Sequence, residues 1–414
     1  MRRRIGAALI ATAVVTLTAC GGGGGTSGDP AGDDETQAAP DGTGQTLTVW
    51  VDETRMAPTQ AAADAFEEAT GAKVELVQKN FEDIRADFLA QVPTGEGPDI
   101  TVGAHDWLGE LTQNGVVSPV EFGDKAGDFT DVALEAFTFD GQVYGVPYAV
   151  ENLGLIRNVE LAPDPTPETF DEMIAAGQEA GTKYPFVIQV STEGDPYTMV
   201  PFQHSFGAPV FEQNEDGSYS SELALGGEQG EAFAQWLADH GANGDGVLNT
   251  SITYDIAREA FKNGETPYMV GGPWLIEEFD GMDLAVDPIP SAGGEPAVPF
   301  IGVQGFYVSA KSENGILATE FLVNYIGTKD IQVKMYEAGD RTPALTEAAD
   351  EISSDPLAKG FADIAADAMP MPSIPEMAAV WTFWGVTEAQ IINGDAEPAA
   401  AWQKMVSDIE GAIG

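Results

Sequence analysis

The sequence predicts an α/β protein of two lobes, each holding a mixed, mostly parallel sheet. Three observations carry this. The chain has 414 residues, more than a single hydrophobic core usually serves. From Gln45 onward, short alternating runs are interleaved with runs of helical period, and that order implies strands covered by helices. The same mixed character returns in the middle of the chain.

Each element follows from local pattern. "TLTVWV" (46–51) alternates and is rich in β-branched residues, so it reads as a strand. After "DETRMAP", the run "TQAAADAFEEATG" puts Ala62, Ala65, Phe66 and Ala69 on one helical face and stops at Gly71. "AKVELV" (72–77) is a second strand, "FEDIRADFLAQV" (81–92) a second helix, and "PDITV" (98–102) a third strand. In such β-α-β units the ligand crevice lies beyond the carboxyl ends of the strands, where Asp52 and Asp106 fall. Further on, 168–180 and 230–240 read as helices, and 184–190, 266–272 and 303–310 as strand-like segments. The tail reads as helices over 316–327, 329–338, 356–368 and 398–413.

The first residues have a different character. Arg2, Arg3 and Arg4 precede the apolar run Ile5–Leu17, which is too short for a stable span and reads as the core of a secretory signal. It ends at Leu17-Thr18-Ala19-Cys20, and Cys20 is the only cysteine. The pattern resembles a bacterial lipobox, so 1–19 is expected to be removed and Cys20 lipidated. Residues 20–44 are rich in Gly and Asp and lack bulky apolar side chains, which predicts a disordered tether.

Charge and missing motifs exclude several functions. With 18 Lys+Arg against 67 Asp+Glu, the net charge is −49, a poor match for nucleic acid or an anionic membrane surface. The acids are spread along the whole chain, which favours a hydrated acidic surface over a dedicated cation site. The three histidines, His105, His204 and His240, form no metal-binding spacing, and no GxSxG or phosphate-binding loop occurs. No metal or cofactor is expected.

What remains is a set of carboxylates and aromatics at the ends of strands and in loops. Asp52 follows Trp50-Val51, Asp106 follows "DITVGA", Glu151 ends "YAVE", Tyr197 lies in "EGDPYTMVP", Trp274 in "GGPW", and Trp381 in "EMAAVWTFWG". Carboxylates accept paired hydroxyls and ring faces pack on pyranose C–H surfaces, so the set suits a sugar. Two other readings stay open at this level: a cationic ligand, and a glycosidase using two of the carboxylates.

Long ordered stretches then carry a family resemblance: "GEGPDITVGAHDWLGELTQNGVV" (95–117), "GQVYGVPYAVENLGLIRN" (141–158), "YDIAREAFKNGETPYMVGGPW" (254–274), "PFIGV" (299–303) and "MPSIPEMAAVW" (371–381). The chain from Gln45 on resembles maltose/maltodextrin-binding proteins, within the family-1 extracellular solute-binding proteins of ABC transporters. The resemblance implies a non-enzymatic, monomeric, lipid-anchored protein outside the cytoplasmic membrane that closes on an oligosaccharide and delivers it to permease subunits. It implies one lobe of 45–150 plus 305–353 and another of 153–302 plus 355–414, with crossings near 150–153, 303–304 and 353–355 and the ligand cleft between the lobes.

By resemblance, Asp52, Asp106 and Glu151 accept from sugar hydroxyls, and Tyr197, Trp274 and Trp381 stack on the rings. Asp195, Glu53, Trp107 and Trp384 are weaker candidates. The chain departs from the family pattern at Glu53 (a lysine in the best-known members), Gly103 (a tryptophan), Trp107 (an arginine) and Gly385 (an arginine). Three cationic donors and a first-lobe ring are thereby missing. Phe383 is expected in the core, and Trp384 on the same side of its helix as Trp381.

Overall fold

The computed structural model describes residues 40–214 and 218–414. The expected signal peptide, Cys20 and the tether as far as residue 39 lie outside them. The packed body begins before Gln45: Gly42 is buried, and its N–H donates to the Thr70 carbonyl at 2.9 Å. A Cβ there would press on Ala72 and Leu317, so the last tether residues belong to the fold.

Strands β1 (Thr46–Val51), β2 (Lys73–Gln78) and β3 (Ile100–Ala104) alternate with helices α1 (Glu53–Thr70) and α2 (Phe81–Gln91). The chain continues through β4 (Gly145–Asn152), then β5 (Gly154–Asn158), α3 (Pro196–Ser205), α4 (Gly227–His240), β6 (Tyr268–Gly271) and β7 (Leu284–Asp287). It returns through β8 (Phe300–Ser309) and β9 (Thr342–Pro343), and ends in α5 (Met377–Asn393) and α6 (Pro398–Ile413).

The large sheet runs β9-β4-β8-β3-β1-β2. The expected mixed sheet is there, but it is less parallel than expected. β1 pairs in parallel with β2 and β3, whereas β8 runs antiparallel to both β3 and β4. In the other lobe, β5 pairs antiparallel with both β6 and β7. The expected strand at 184–190 makes only one isolated bridge, Val187 to Met269. Pro185 within it has no N–H to give to a ladder.

One apolar cluster draws on Leu47 to Val150 and Ile301 to Ala348, and a second on Leu153 to Phe300 and Met371 to Ile409. The changeovers fall at Val150/Leu153 and at Phe300/Ile301, both inside continuous sheet strands or the single residue between them. Phe361 belongs to a third cluster with Ile156 and Phe261.

Helix α1 differs from the sequence expectation in a way that matters for the site. The pattern started it after Pro58, but it begins at Glu53 with Pro58 inside. Asp52 caps it, accepting from the Arg55 N–H at 3.2 Å, which satisfies an end donor that would otherwise be orphaned. The earlier start brings Arg55 onto the first turn, buried beneath the sheet end.

Candidate functional site

The ends of β1, β3, β4 and β8 and the loops after β6 and before α3 converge on a cavity of about 490 Å³. Asp52, Asp106, Glu151, Tyr197, Trp274 and Trp381 all line it, as do Trp107 and Asp195.

On the first-lobe side, a continuous polar chain crosses the sheet. Asp52 forms an ion pair with Arg55. The Arg55 guanidinium also donates to the Tyr148 hydroxyl and, at 3.3 Å, to Gln304 Oε1. Gln304 Nε2 donates to Glu151 Oε1 at 2.8 Å, and Glu151 Oε2 accepts from Arg341 Nε at 2.6 Å. Glu151 and Arg341 are both nearly buried, and although burial opposes its charge, the Glu151 carboxylate beside it holds Arg341 charged. Two cationic groups therefore line the cavity after all, from positions other than those the resemblance indicates.

Asp106 sits in the short turn after β3, where burial raises its carboxyl pKa. Trp381, from the opposite lobe, lines the same cavity and works against that shift. Its neighbour His105 is wholly buried: Nδ1 accepts from the Val303 N–H at 3.1 Å and Nε2 faces the Met371 carbonyl at 3.0 Å. An amide donor on one nitrogen and a carbonyl acceptor on the other fix the Nε2–H tautomer. Burial lowers this imidazole's pKa.

The Gly103 and Trp107 departures are linked. A Cβ on Gly103 would lie 2.7 Å from two Trp107 ring carbons. The glycine thus opens the space that the Trp107 ring fills, and that ring packs on Phe81 with centroids 5.1 Å apart. An aromatic first-lobe wall is restored from four residues away.

The second-lobe wall is aromatic and firmly backed. Asp195 caps α3, accepting from the Thr198 N–H at 3.0 Å and from the Gln189 amide. Burial raises its carboxyl pKa. Tyr197, two residues on, presents a hydroxyl that has no hydrogen-bond partner among the described residues. Trp274 lies tight against Gly272, where a Cβ would approach its ring to 2.0 Å. Trp381 stacks on Trp384 with centroids 5.5 Å apart and planes 27° apart.

Two weaker candidates do not belong to the cavity. Glu53 is exposed on the outer face of α1. Trp384 is completely buried, and its indole N–H donates to Gln203 Oε1 at 3.0 Å on α3. It supports Trp381 from behind and cannot touch a ligand; Phe383, expected in the core, is only half-buried. The Gly385 departure is also steric. A Cβ there would come within 2.6 Å of the Glu193 carbonyl, and Gly194 approaches it with φ of 75°. Helix α5 thereby seats the loop that leads through Asp195 into α3, whose first turn carries Tyr197.

Arg55, Gln304, Arg341 and Phe81 were not found from the sequence. The available signals were the Asp-x-x-Arg spacing at a helix start and a lone cation in "GDRTP" within a very acidic chain.

A family profile described as bacterial extracellular solute-binding protein matches residues 61–360. The chain belongs to this family. As a solute-binding protein it works outside the cytoplasm and performs no catalysis. A solved relative, the maltotriose binding protein of Thermus thermophilus bound with maltotriose, is 33% identical with a TM-score of 0.81, covering 89% of this chain and 100% of that one. The galactooligosaccharide-binding protein of Bacillus subtilis is 26% identical over 98% of this chain and 96% of its own length. The maltodextrin-binding protein MdxE of Bacillus subtilis is 29% identical, covering 81% of this chain and 82% of its own.

Proposed function

We propose that this solute-binding protein captures a neutral α-linked gluco-oligosaccharide, of the maltose and maltodextrin class, and delivers it to the permease of an ABC transporter. The observation that carries the reading is the facing of two unlike walls across one cavity: hydrogen-bonded carboxylates and guanidinium groups on one side, Tyr197, Trp274 and Trp381 on the other. Carboxylates accept from sugar hydroxyls, guanidinium groups donate to sugar oxygens, and the rings cover the apolar C–H faces. Asp52, Asp106 and Glu151 are the acceptors in this reading, with Asp195 behind Tyr197 and Trp107 adding first-lobe ring surface. Several such contacts correspond to roughly micromolar affinity, about −8 kcal/mol.

Closure about the crossings near 150–153, 303–304 and 353–355 drives capture, because the bound sugar touches both walls only in the closed form. The mature protein is a monomer held to the outer face of the membrane by lipid on Cys20. Replacing Cys20 by serine is expected to release it into the medium.

Calorimetric titration with maltose, maltotriose and a galactotriose, alongside intrinsic tryptophan fluorescence, tests the substrate class. A saturable response to maltotriose is expected. No response to either glucan, with a response to the galactotriose, replaces the α-glucan by another oligosaccharide.

A further inference from the structure

We infer that Arg341 is the residue that sets sugar specificity in this cleft, by donating from both terminal nitrogens to adjacent oxygens of the ring that packs beside Trp274. This rests on the oligosaccharide reading above. Three observations place Arg341 for that role. Its Nε is tied to Glu151 at 2.6 Å, which fixes the plane and direction of the guanidinium. Its central carbon lies over the Trp274 ring, 5.4 Å from the centroid. The side chain lines the cavity, and no protein acceptor holds Nη1 or Nη2 among the described residues.

The chemistry of such a group is restrictive. A guanidinium only donates, and its two terminal nitrogens present a rigid fork. It therefore requires two acceptor oxygens at a fixed separation and direction, set by the ring's stereochemistry. Glu151 beside it only accepts. The pair thus reads one hydroxyl edge twice, as acceptor from Arg341 and as donor to Glu151. Inverting one hydroxyl turns an oxygen away and leaves a charged donor unmatched, a larger penalty than losing a ring contact. The guanidinium also covers part of the Trp274 face. A pyranose on the remainder of that face is brought alongside the terminal nitrogens.

The test titrates the wild type, Arg341→Lys, Arg341→Met and the double variant Glu151→Gln/Arg341→Met with maltotriose and with a 1,4-linked galactotriose. Thermal unfolding of each variant confirms a folded protein. Arg341→Met is expected to weaken the preferred sugar about 10- to 100-fold and to shrink the preference between the two sugars. A role confined to supporting the fold would not shift that preference. Arg341→Lys should recover only part of the affinity, since a single ammonium lacks the fork. Recovery in the double variant would assign the loss to an unpaired Glu151, and none is expected.

The inference is overturned if Arg341→Met keeps wild-type affinity and preference, or if the double variant regains them. Those outcomes leave the oligosaccharide reading standing. If the wild type binds neither sugar, the oligosaccharide reading fails first, and the role of Arg341 falls with it.

Discussion

Across the cleft, the first-lobe wall is a chain of hydrogen-bonded polar side chains from Asp52 to Arg341, whereas the second-lobe wall is a set of rings resting on packed core. The polar wall is directional: each group accepts or donates along a line fixed by its neighbour. The aromatic wall is broad and tolerant of how a ring is turned. On the proposed reading, the difference gives orientation and choice of sugar to the first lobe, and most of the contact area to the second. It also fits the need for closure, since most polar partners for a pyranose lie on one wall and most of its ring contacts on the other.

The largest expected effects separate the rings that touch the ligand from those that hold them. Trp384→Ala removes a wholly buried ring from the second core and leaves Gln203 Oε1 without its donor. It should lower unfolding free energy by about 3–5 kcal/mol. Trp381→Ala removes the ring stacked upon it at the cavity edge. It should leave the melting temperature nearly unchanged while weakening maltotriose binding by about 2 kcal/mol or more. Denaturant unfolding and calorimetry on the two variants decide this. If Trp384→Ala changes affinity but not stability, the division between platform and support is wrong.

On the polar wall, Glu151→Gln leaves the nearly buried Arg341 without its carboxylate. Its effect is expected to be smaller on stability, because the cavity admits water to the orphaned charge. Maltotriose affinity should fall by about 1.5–3 kcal/mol, the range for hydrogen bonds to charged groups. An unchanged dissociation constant would show that the polar chain is structural and that orientation is set elsewhere.

The two walls were not equally legible in the sequence. Asp52 and Asp106 follow strands whose alternation is plain, and their place at the sheet's ligand-facing end follows from the order of elements. Arg55 was hidden because Pro58 reads as a helix start, and only the Asp52 cap, a three-dimensional hydrogen bond, shows that the helix begins earlier. Arg341 is 190 residues from its partner Glu151, a pairing that no local pattern encodes. On α5, a separation of three residues placed Trp381 and Trp384 on one side, but helical period gives direction and not depth. The depth comes from α3, whose Gln203 takes the Trp384 N–H. The second-lobe sheet was misjudged at Pro185, where high β-propensity competes with a missing backbone donor.

A titration effect bears on the support beneath the aromatic wall. Glu388, one turn beyond Trp384 on α5, is wholly buried, and neither carboxylate oxygen has a hydrogen-bond partner among the described residues. Burial, with Asp195 nearby, raises its pKa well above the ordinary value of 4.5. A folded pKa above the unfolded one means that the folded state binds the extra proton. The stability from this group is full below about pH 4.5 and is lost as pH rises toward the folded pKa, at about 1.4 kcal/mol per pH unit. Glu388→Gln removes that slope. Melting temperatures across this range should therefore fall less steeply with pH in the variant, which should also be the more stable at neutral pH. Parallel curves for the two proteins would mean that the carboxyl finds compensation in the fold.

The smallest expected effect is the sharpest test of what the polar wall is for. A net charge of −49 produces a strong field, but a field acts only on charge. A neutral oligosaccharide carries none, and the contacts within the cleft are short compared with the screening length, about 10 Å at 0.1 M salt. Raising salt from about 0.05 M to about 0.5 M should therefore change the maltotriose dissociation constant by less than about two-fold. A cationic ligand would be drawn by the whole acidic surface and released as that field is screened, and Arg55 and Arg341 in the cavity already oppose it. A tenfold loss of affinity over the same range, measured by calorimetry, would reverse the assignment. The carboxylates would then be binding charge, and the first-lobe wall would supply attraction instead of orientation.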